Sequence, residues 1–196
     1  MSRPFDVASL ADLDRLFASI KEQKGRLDTL FANAGGGAFE PLGQVTEANF
    51  DKYFGINVKG TVFTVQKALP LMPAGSAIVL NASMVSIKGF PGFGVYAATK
   101  AALRSFVRTW SVDLKGRNIR VNALSPGTVV TPAYKSELGL TDEQIEAFAA
   151  QAATTTPLGR NGTPDEVAKT VVFLASDDAS FVNGVELFVD GGAAQI

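Results

Sequence analysis

Apolar residues follow two alternating patterns along the chain, one with three-to-four-residue spacing and one of short near-continuous runs. Between Ser9 and Glu22, Leu10, Leu13, Leu16, Phe17 and Ile20 fall on one face of a helical repeat, and Ser9 is placed to cap it. Gly25 breaks that pattern, and 27–32 (LDTLFA) reads as a short strand. Thr46 caps a second predicted helix over 47–69, which Pro70 and Pro73 end. Residues 77–83 (AIVLNAS) are the kind of apolar run that a parallel sheet buries on both faces. A loop punctuated by Gly89, Pro91, Gly92 and Gly94 follows, then a helix over 95–115 and a strand at 120–124 (RVNAL) closed by Ser125-Pro126-Gly127. Residues 132–160 read as loop with one helix at 142–153. Thr163-Pro164-Asp165-Glu166 combines a capping box with proline at the first helical position, opening a helix to Ala175. The last strand, 185–189 (VELFV), stops at Asp190-Gly191-Gly192. Helices and short apolar strands alternate throughout, which predicts an α/β fold with a parallel sheet and right-handed crossovers. With 196 residues and no repeat or linker, the expectation is one domain, 1–196.

Charge and composition remove function classes. The 18 basic and 19 acidic residues form no block of like charge, so neither nucleic acid nor an anionic membrane surface is an expected partner. No apolar run approaches the ~18–20 residues of a membrane span, and the N-terminus lacks a signal-peptide core, so the expected location is the cytoplasm. Cysteine and histidine are both absent. That excludes disulfides, thiol nucleophiles, histidine bases and the usual zinc ligand sets, and no metal site is expected. Acid–base chemistry falls to Tyr, Lys, Asp or Glu.

Tyr96-Ala97-Ala98-Thr99-Lys100 is the central candidate. Residues i and i+4 share a helix face, so phenol and ammonium can address one site. A cation within ~4–6 Å favours phenolate and could bring the phenol from its ordinary ~10 toward a usable acid–base range. Taken alone, such a pair is usually just an exposed one. Ser83 ends the preceding strand thirteen residues before Tyr96, so the loop can return its hydroxyl to the phenol, although a serine there also serves as an ordinary cap. Asn57 sits inside the 47–69 helix with Gly60 close behind, a poor combination for a helix interior. A break there would free a carbonyl and an amide, while a solvent-facing Asn is the plainer account. Asn33-Ala34-Gly35 and Pro126-Gly127-Thr128-Val129-Val130-Thr131 both follow strands, at the carboxyl ends where open α/β sheets bind ligands.

In this order and spacing, the pieces resemble the short-chain dehydrogenase/reductase family of the common, roughly 250-residue type. The matching pieces are Asn33-Ala34-Gly35, Asn57, Ser83, the Tyr96/Lys100 pair, Pro126-Gly127 with Thr131, and Val189-Asp190-Gly191-Gly192, spanning nearly the whole chain. The resemblance implies a Rossmann-like parallel sheet with helices on both faces, and an NAD- or NADP-dependent oxidoreductase interconverting a secondary alcohol and a carbonyl. It implies Tyr96 as general acid/base, Ser83 orienting the substrate oxygen, and Lys100 binding the nicotinamide ribose and lowering the tyrosine pKa. Asn57 would hold a water that relays protons. Pro126, Gly127, Val129 and Thr131 would line the nicotinamide side, with Val129 and Thr131 on the carboxamide. Asn33, Ala34 and Gly35 would line the adenosine side, with Asp6-Val7 touching adenine.

Asp6-Val7 matches the end of the family's third strand. At about 30 residues per βαβ unit, roughly 50–60 residues of the family pattern, glycine-rich turn included, would precede the segment that this chain matches. The chain is therefore expected to be an N-terminally truncated form. Gly92-Phe93-Gly94-Val95-Tyr96-Ala97 formally fits G-x-G-x-x-A, but it does not directly follow its strand and Asp113 lies on or at the end of the same helix. Gly35-Gly36-Gly37 fails because Glu40 holds the third glycine position. Two further readings remain open: a truncated pseudoenzyme that folds and associates without holding the dinucleotide, and cofactor-free dehydration or isomerisation. Residues 132–160 should form a lid, with Leu138, Leu140 and Phe148 facing Phe90 and Phe93, or merely packing against the body. The substrate is expected to be a small carbonyl or alcohol. The strand at 27–32 should be a sheet edge, covered by residues 1–8 or paired with another chain. A homo-oligomer, dimer or tetramer, is expected, with contacts through 47–69, 95–115 and 164–189 and with Phe106 and Trp110 as contributors.

Overall fold

The structure is a computed structural model that describes residues 5–196. Four parallel strands, β1 (Thr29–Ala32), β2 (Ala77–Asn81), β3 (Arg120–Pro126) and β4 (Glu186–Val189), lie in the order β1-β2-β3-β4. Each crossover carries at least one helix: α2 (Glu47–Tyr53) and α3 (Thr61–Ala68), then α4 (Gly94–Asp113), then α5 (Ala133–Ser136), α6 (Asp142–Thr155) and α7 (Pro164–Ala175). Helix α1 (Leu10–Lys24) precedes β1.

The two-residue period of the strands splits the core into two layers. Ile78, Leu80, Val121 and Ala123 face a cluster with Leu13 and Phe17 of α1, Val65 and Ala68 of α3, and Leu103 and Val107 of α4. Val79 and Leu124 face the other way, onto Leu174 of α7. Helices therefore cover both faces, and β2 reads as a near-continuous apolar run because neither face meets water, while β3 carries the buried Asn122, whose amide donates to the Val182 carbonyl and accepts from the Val185 amide.

Several helix boundaries follow their sequence signals. Ser9 caps α1, accepting from the Asp12 amide at 3.3 Å, and Gly25 closes it at φ 75°. Thr163 and Glu166 form the expected capping box with Pro164 in the first turn. Three features differ from the sequence expectation. Residues 132–160, expected to hold one helix, hold two, α5 and α6. The predicted 47–69 helix contains a π-helical stretch, Phe54–Gly60, between α2 and α3. Strand β3 runs on through Ser125 and Pro126, pairing them with Phe188 and Val189.

Among the described residues, strand β1 pairs on one side only, with β2. Beside it lies a hollow of about 270 Å³ lined by Val7, Leu16, Ile20, Leu30, Phe31 and Thr64, among others. Of the 1–8 segment expected to cover this edge, residues 1–4 lie outside the described residues. No helix among the described residues is long and apolar enough to cross a membrane.

Candidate active site

The carboxyl end of β2 gives the site its first residue. Beyond Asn81 the chain stays extended, with the Ala82 amide donating to the Leu124 carbonyl at 2.9 Å, and Ser83 then caps a short turn at Met84–Ser86. The loop that follows is tied down at three points. Ser86 hydroxyl donates to Glu186 of β4, Lys88 ammonium donates to the Ala193 carbonyl, and the Glu40 amide donates to the Gly92 carbonyl at 2.6 Å. Glu186 also accepts from Ser125 at 2.7 Å and pairs with Arg104 of α4 at 2.7 Å, so one carboxylate joins β3, β4, the Ser83 loop and α4. The loop thus delivers α4 with Tyr96 and Lys100 on the face turned to the strand ends. Gly37 makes room for the phenol, since a Cβ there would stand 2.8 Å from Tyr96 Cδ2.

Burial dominates the electrostatics. The Tyr96 phenol is pushed up to about 12, chiefly by desolvation, with nearby Tyr134 adding to the effect and a hydrogen bond with Ser83 opposing it. Burial also pulls the Lys100 ammonium down to about 8. Lys100 is 3% exposed, and its Nζ donates to the Asn81 carbonyl at 2.6 Å. The sequence expectation that Lys100 lowers the tyrosine does not describe this arrangement. Nζ lies 5.5 Å from the centre of the Tyr96 ring, and the desolvation penalty on phenolate outweighs any attraction at that range.

Asn57 stands behind these groups, 1% exposed, in the π-helical stretch. Its Oδ1 accepts from the Gly36 amide at 3.0 Å, while Nδ2 donates to the Gly36 carbonyl at 2.8 Å and to Thr99 Oγ1 at 2.9 Å. The Asn57 carbonyl accepts from the Thr61 hydroxyl at 2.8 Å. Widening the helix by one residue turns the amide inward, where it straps the loop after β1 to α4.

A cavity of about 570 Å³ opens in front of this group. Ser83, Tyr96 and Lys100 line it together with Asn33, Gly35, Pro126, Gly127, Val129 and Thr131, so most of the sequence-predicted residues share one space. Gly127 packs under the end of β4, where a Cβ would meet Asp190 Cα at 2.8 Å. Asp190 holds the following turn, accepting from the Gly192 and Ala194 amides. Val7 and Ala34 face the hollow beside β1 instead, and Asn33 borders both spaces. Asp6 accepts from the Ala8 amide at 2.9 Å at the start of α1. Sequence reasoning missed Asn81, Thr99, Gly36 and Gly37. Only the small residues after β1 could have pointed to this packing, because the polar contacts depend on folding distant segments together.

A dinucleotide's ribose end suits this wall. Among the described residues, Asn81 Oδ1 is out of solvent contact with no hydrogen-bond partner, and Lys100 Nζ donates to one protein acceptor, the Asn81 carbonyl. Beside Lys100, Gly35 leaves bare backbone, since a Cβ there would come within 3.3 Å of Nζ and 3.1 Å of Asn57 Oδ1. One ammonium donor and one amide acceptor match adjacent hydroxyls. Among the described residues no glycine-rich turn leads directly from a strand into a helix, the usual pyrophosphate cradle.

Comparison with known proteins decides the family. The family model described as enoyl-(acyl carrier protein) reductase matches residues 2–194. A solved short-chain dehydrogenase/reductase from Brucella melitensis, titled a glucose/ribitol dehydrogenase, superposes with a TM-score of 0.89 at 32% identity, over 97% of this chain and 75% of that one. The chain belongs to the short-chain dehydrogenase/reductase family. Among curated relatives, an oxidoreductase of Sarocladium schorii, asL5, is 45% identical over 97% of this chain and 75% of its own. The 3-oxoacyl-[acyl-carrier-protein] reductase FabG of Thermotoga maritima is 37% identical over 95% and 75% respectively. The family's Rossmann-like sheet is the one described above, and its members named here are oxidoreductases and reductases.

Proposed function

We propose that this chain reduces a small carbonyl compound to a secondary alcohol with a nicotinamide dinucleotide as co-substrate. The observation that carries the reading is the meeting of Ser83, Tyr96 and Lys100 on one cavity at the carboxyl ends of β2 and β3. When bound, the dinucleotide supplies a hydride to the carbonyl carbon. Tyr96 donates its phenolic proton to the carbonyl oxygen, and Ser83 donates a hydrogen bond to that oxygen and fixes its position. A phenol raised to about 12 stays protonated at neutral pH, which suits a proton donor and therefore the reducing direction. Lys100 Nζ and Asn81 Oδ1 hold the ribose, Pro126, Gly127, Val129 and Thr131 hold the nicotinamide side, and Asn33, Ala34 and Gly35 lead toward the adenosine side with Asp6 and Val7. Asn57 keeps the loop after β1 in register with α4 and holds the water through which protons reach Lys100. Residues 132–160, with α5 and α6, are the lid. The chain, read as one domain over 1–196, works as a homo-oligomer, dimer or tetramer, in the cytoplasm.

The test is NADH and NADPH oxidation by the purified chain with a panel of ketones, alongside Tyr96→Phe. Loss of one hydroxyl is expected to lower turnover by at least about a thousandfold while leaving the melting temperature within a few degrees. Wild-type-like turnover in that variant would sink the mechanism. A chain that folds but takes up neither dinucleotide on titration would favour the other reading, a pseudoenzyme.

A further inference from the structure

One wall of the cavity, beginning at Tyr96 beside Lys100, is built of rings. Tyr96 sits 4.5 Å from Phe93, and Phe93 stacks on Phe39 at 4.5 Å with 15° between the planes. Phe90 lies 6.1–6.3 Å from Phe39, Phe93 and Phe148, and Tyr134 lies 5.7 Å from Phe148. These six rings come from four separate parts of the chain: the loop after β1, the loop into α4 with α4 itself, α5, and α6. Phe39 and Phe90 are 38% and 36% exposed, so the slab keeps ring surface uncovered. Among the described residues, the only charged side chains lining the cavity are Lys100, buried and donating to Asn81, and Glu137, paired with Lys52 at 3.9 Å.

We propose that this slab selects an uncharged, flat, ring-bearing ketone, stacked against Phe39 and Phe93 with its carbonyl at Tyr96. The proposal deepens the reading of Tyr96 as the carbonyl's proton donor and rests on it. Rings gain from offset stacking and edge-to-face contact beyond the area they bury. A rigid bicyclic guest meets such a wall without freezing bond rotations, whereas a linear acyl chain must lose them to lie along it. Among the described residues of the cavity wall an anionic substrate finds no free cation, and it meets the Glu137 carboxylate.

Calorimetric titration of the purified full-length chain, with and without NADPH, tests this. The probes are 1-tetralone, the linear 2-decanone of equal carbon count, and the acetoacetyl thioester of N-acetylcysteamine. 1-Tetralone is expected to bind at least about tenfold more tightly than either linear probe. Phe39→Leu and Phe90→Leu, both at half-exposed positions, should each weaken 1-tetralone by about three- to tenfold and change the linear probes less than twofold. Equal or tighter binding of a linear probe, failure of all three to bind, or equal weakening of all three by the variants would each overturn the proposal. Selective 1-tetralone binding without any NADPH oxidation would keep ring recognition and remove the oxidoreductase reading. Oxidation coupled to the linear probes alone would do the reverse.

Discussion

Lys100 brings an ammonium group into a nearly buried place at the cavity wall, 3% exposed, and its acceptor there is a neutral carbonyl. Among the described residues no carboxylate pairs with it. The folded group releases its proton near pH 8, the unfolded one near its ordinary 10.5. Below pH 8 both states are charged and the full burial cost stands. Between about 8 and 10.5 only the unfolded state holds the proton, so stability contributed by this residue rises with pH. Lys100→Met is therefore expected to stabilise the chain at pH 7 by about 2 kcal/mol, or roughly 4–8 °C in melting temperature, after allowing for the lost bond to Asn81. The gain should shrink toward pH 10, and melts at pH 7 and 9.5 measure both. A lowered melting temperature at pH 7 would contradict the burial cost. The same titration bears on rate. Tyr96 stays protonated across this range while Lys100 loses its charge, so carbonyl reduction should run level to about pH 8 and fall above it. Alcohol oxidation, which needs the phenolate, should rise with pH. A reduction rate climbing between pH 7 and 9.5 would remove the ammonium from the mechanism.

At the scale of elements, the π-helical stretch joins the helix after β1 to α4 through a single amide. Asn57→Ala leaves the Gly36 amide and carbonyl and the Thr99 hydroxyl without their partner, at an expected cost of about 2–3 kcal/mol. Urea denaturation with an unchanged m-value would measure it, and a loss below about 0.5 kcal/mol would show that water replaces the amide freely. This stretch also marks what could be read from sequence. Asn57 and Gly60 announced a weak helix, and the apolar spacing announced the helices and strands around it. The direction of the irregularity needed Gly36 and Thr99, twenty-one and forty-two residues away. The same limit applies to the ring slab. Phe90, Phe93 and Phe148 were legible as lid and loop residues, but Phe39 and Tyr134 join them only once β1 and α5 are in place. Both pKa directions were out of reach because they follow from burial. The capping signals at Ser9 and Thr163 were legible because each acts within one helical turn.

For the molecule as a whole, apolar side chains left at the surface argue for association. Val172 on the outer side of α7 is 66% exposed, Phe173 beside it is also exposed, and Phe181 further along is fully so. Sedimentation at tens of micromolar is expected to show a dimer or tetramer, and Val172→Ser with Phe181→Ser should shift it toward monomer. A well-behaved monomer before any substitution would refute that assembly. Catalysis and heat resistance then make opposite demands on anyone evolving this protein. Lys100, in the cavity wall, is a position whose replacement is expected to raise the melting point. A library screened by heating alone would enrich changes there and return sturdy, inactive chains. A screen that also demands turnover would be driven outward, to helix ends and loop glycines.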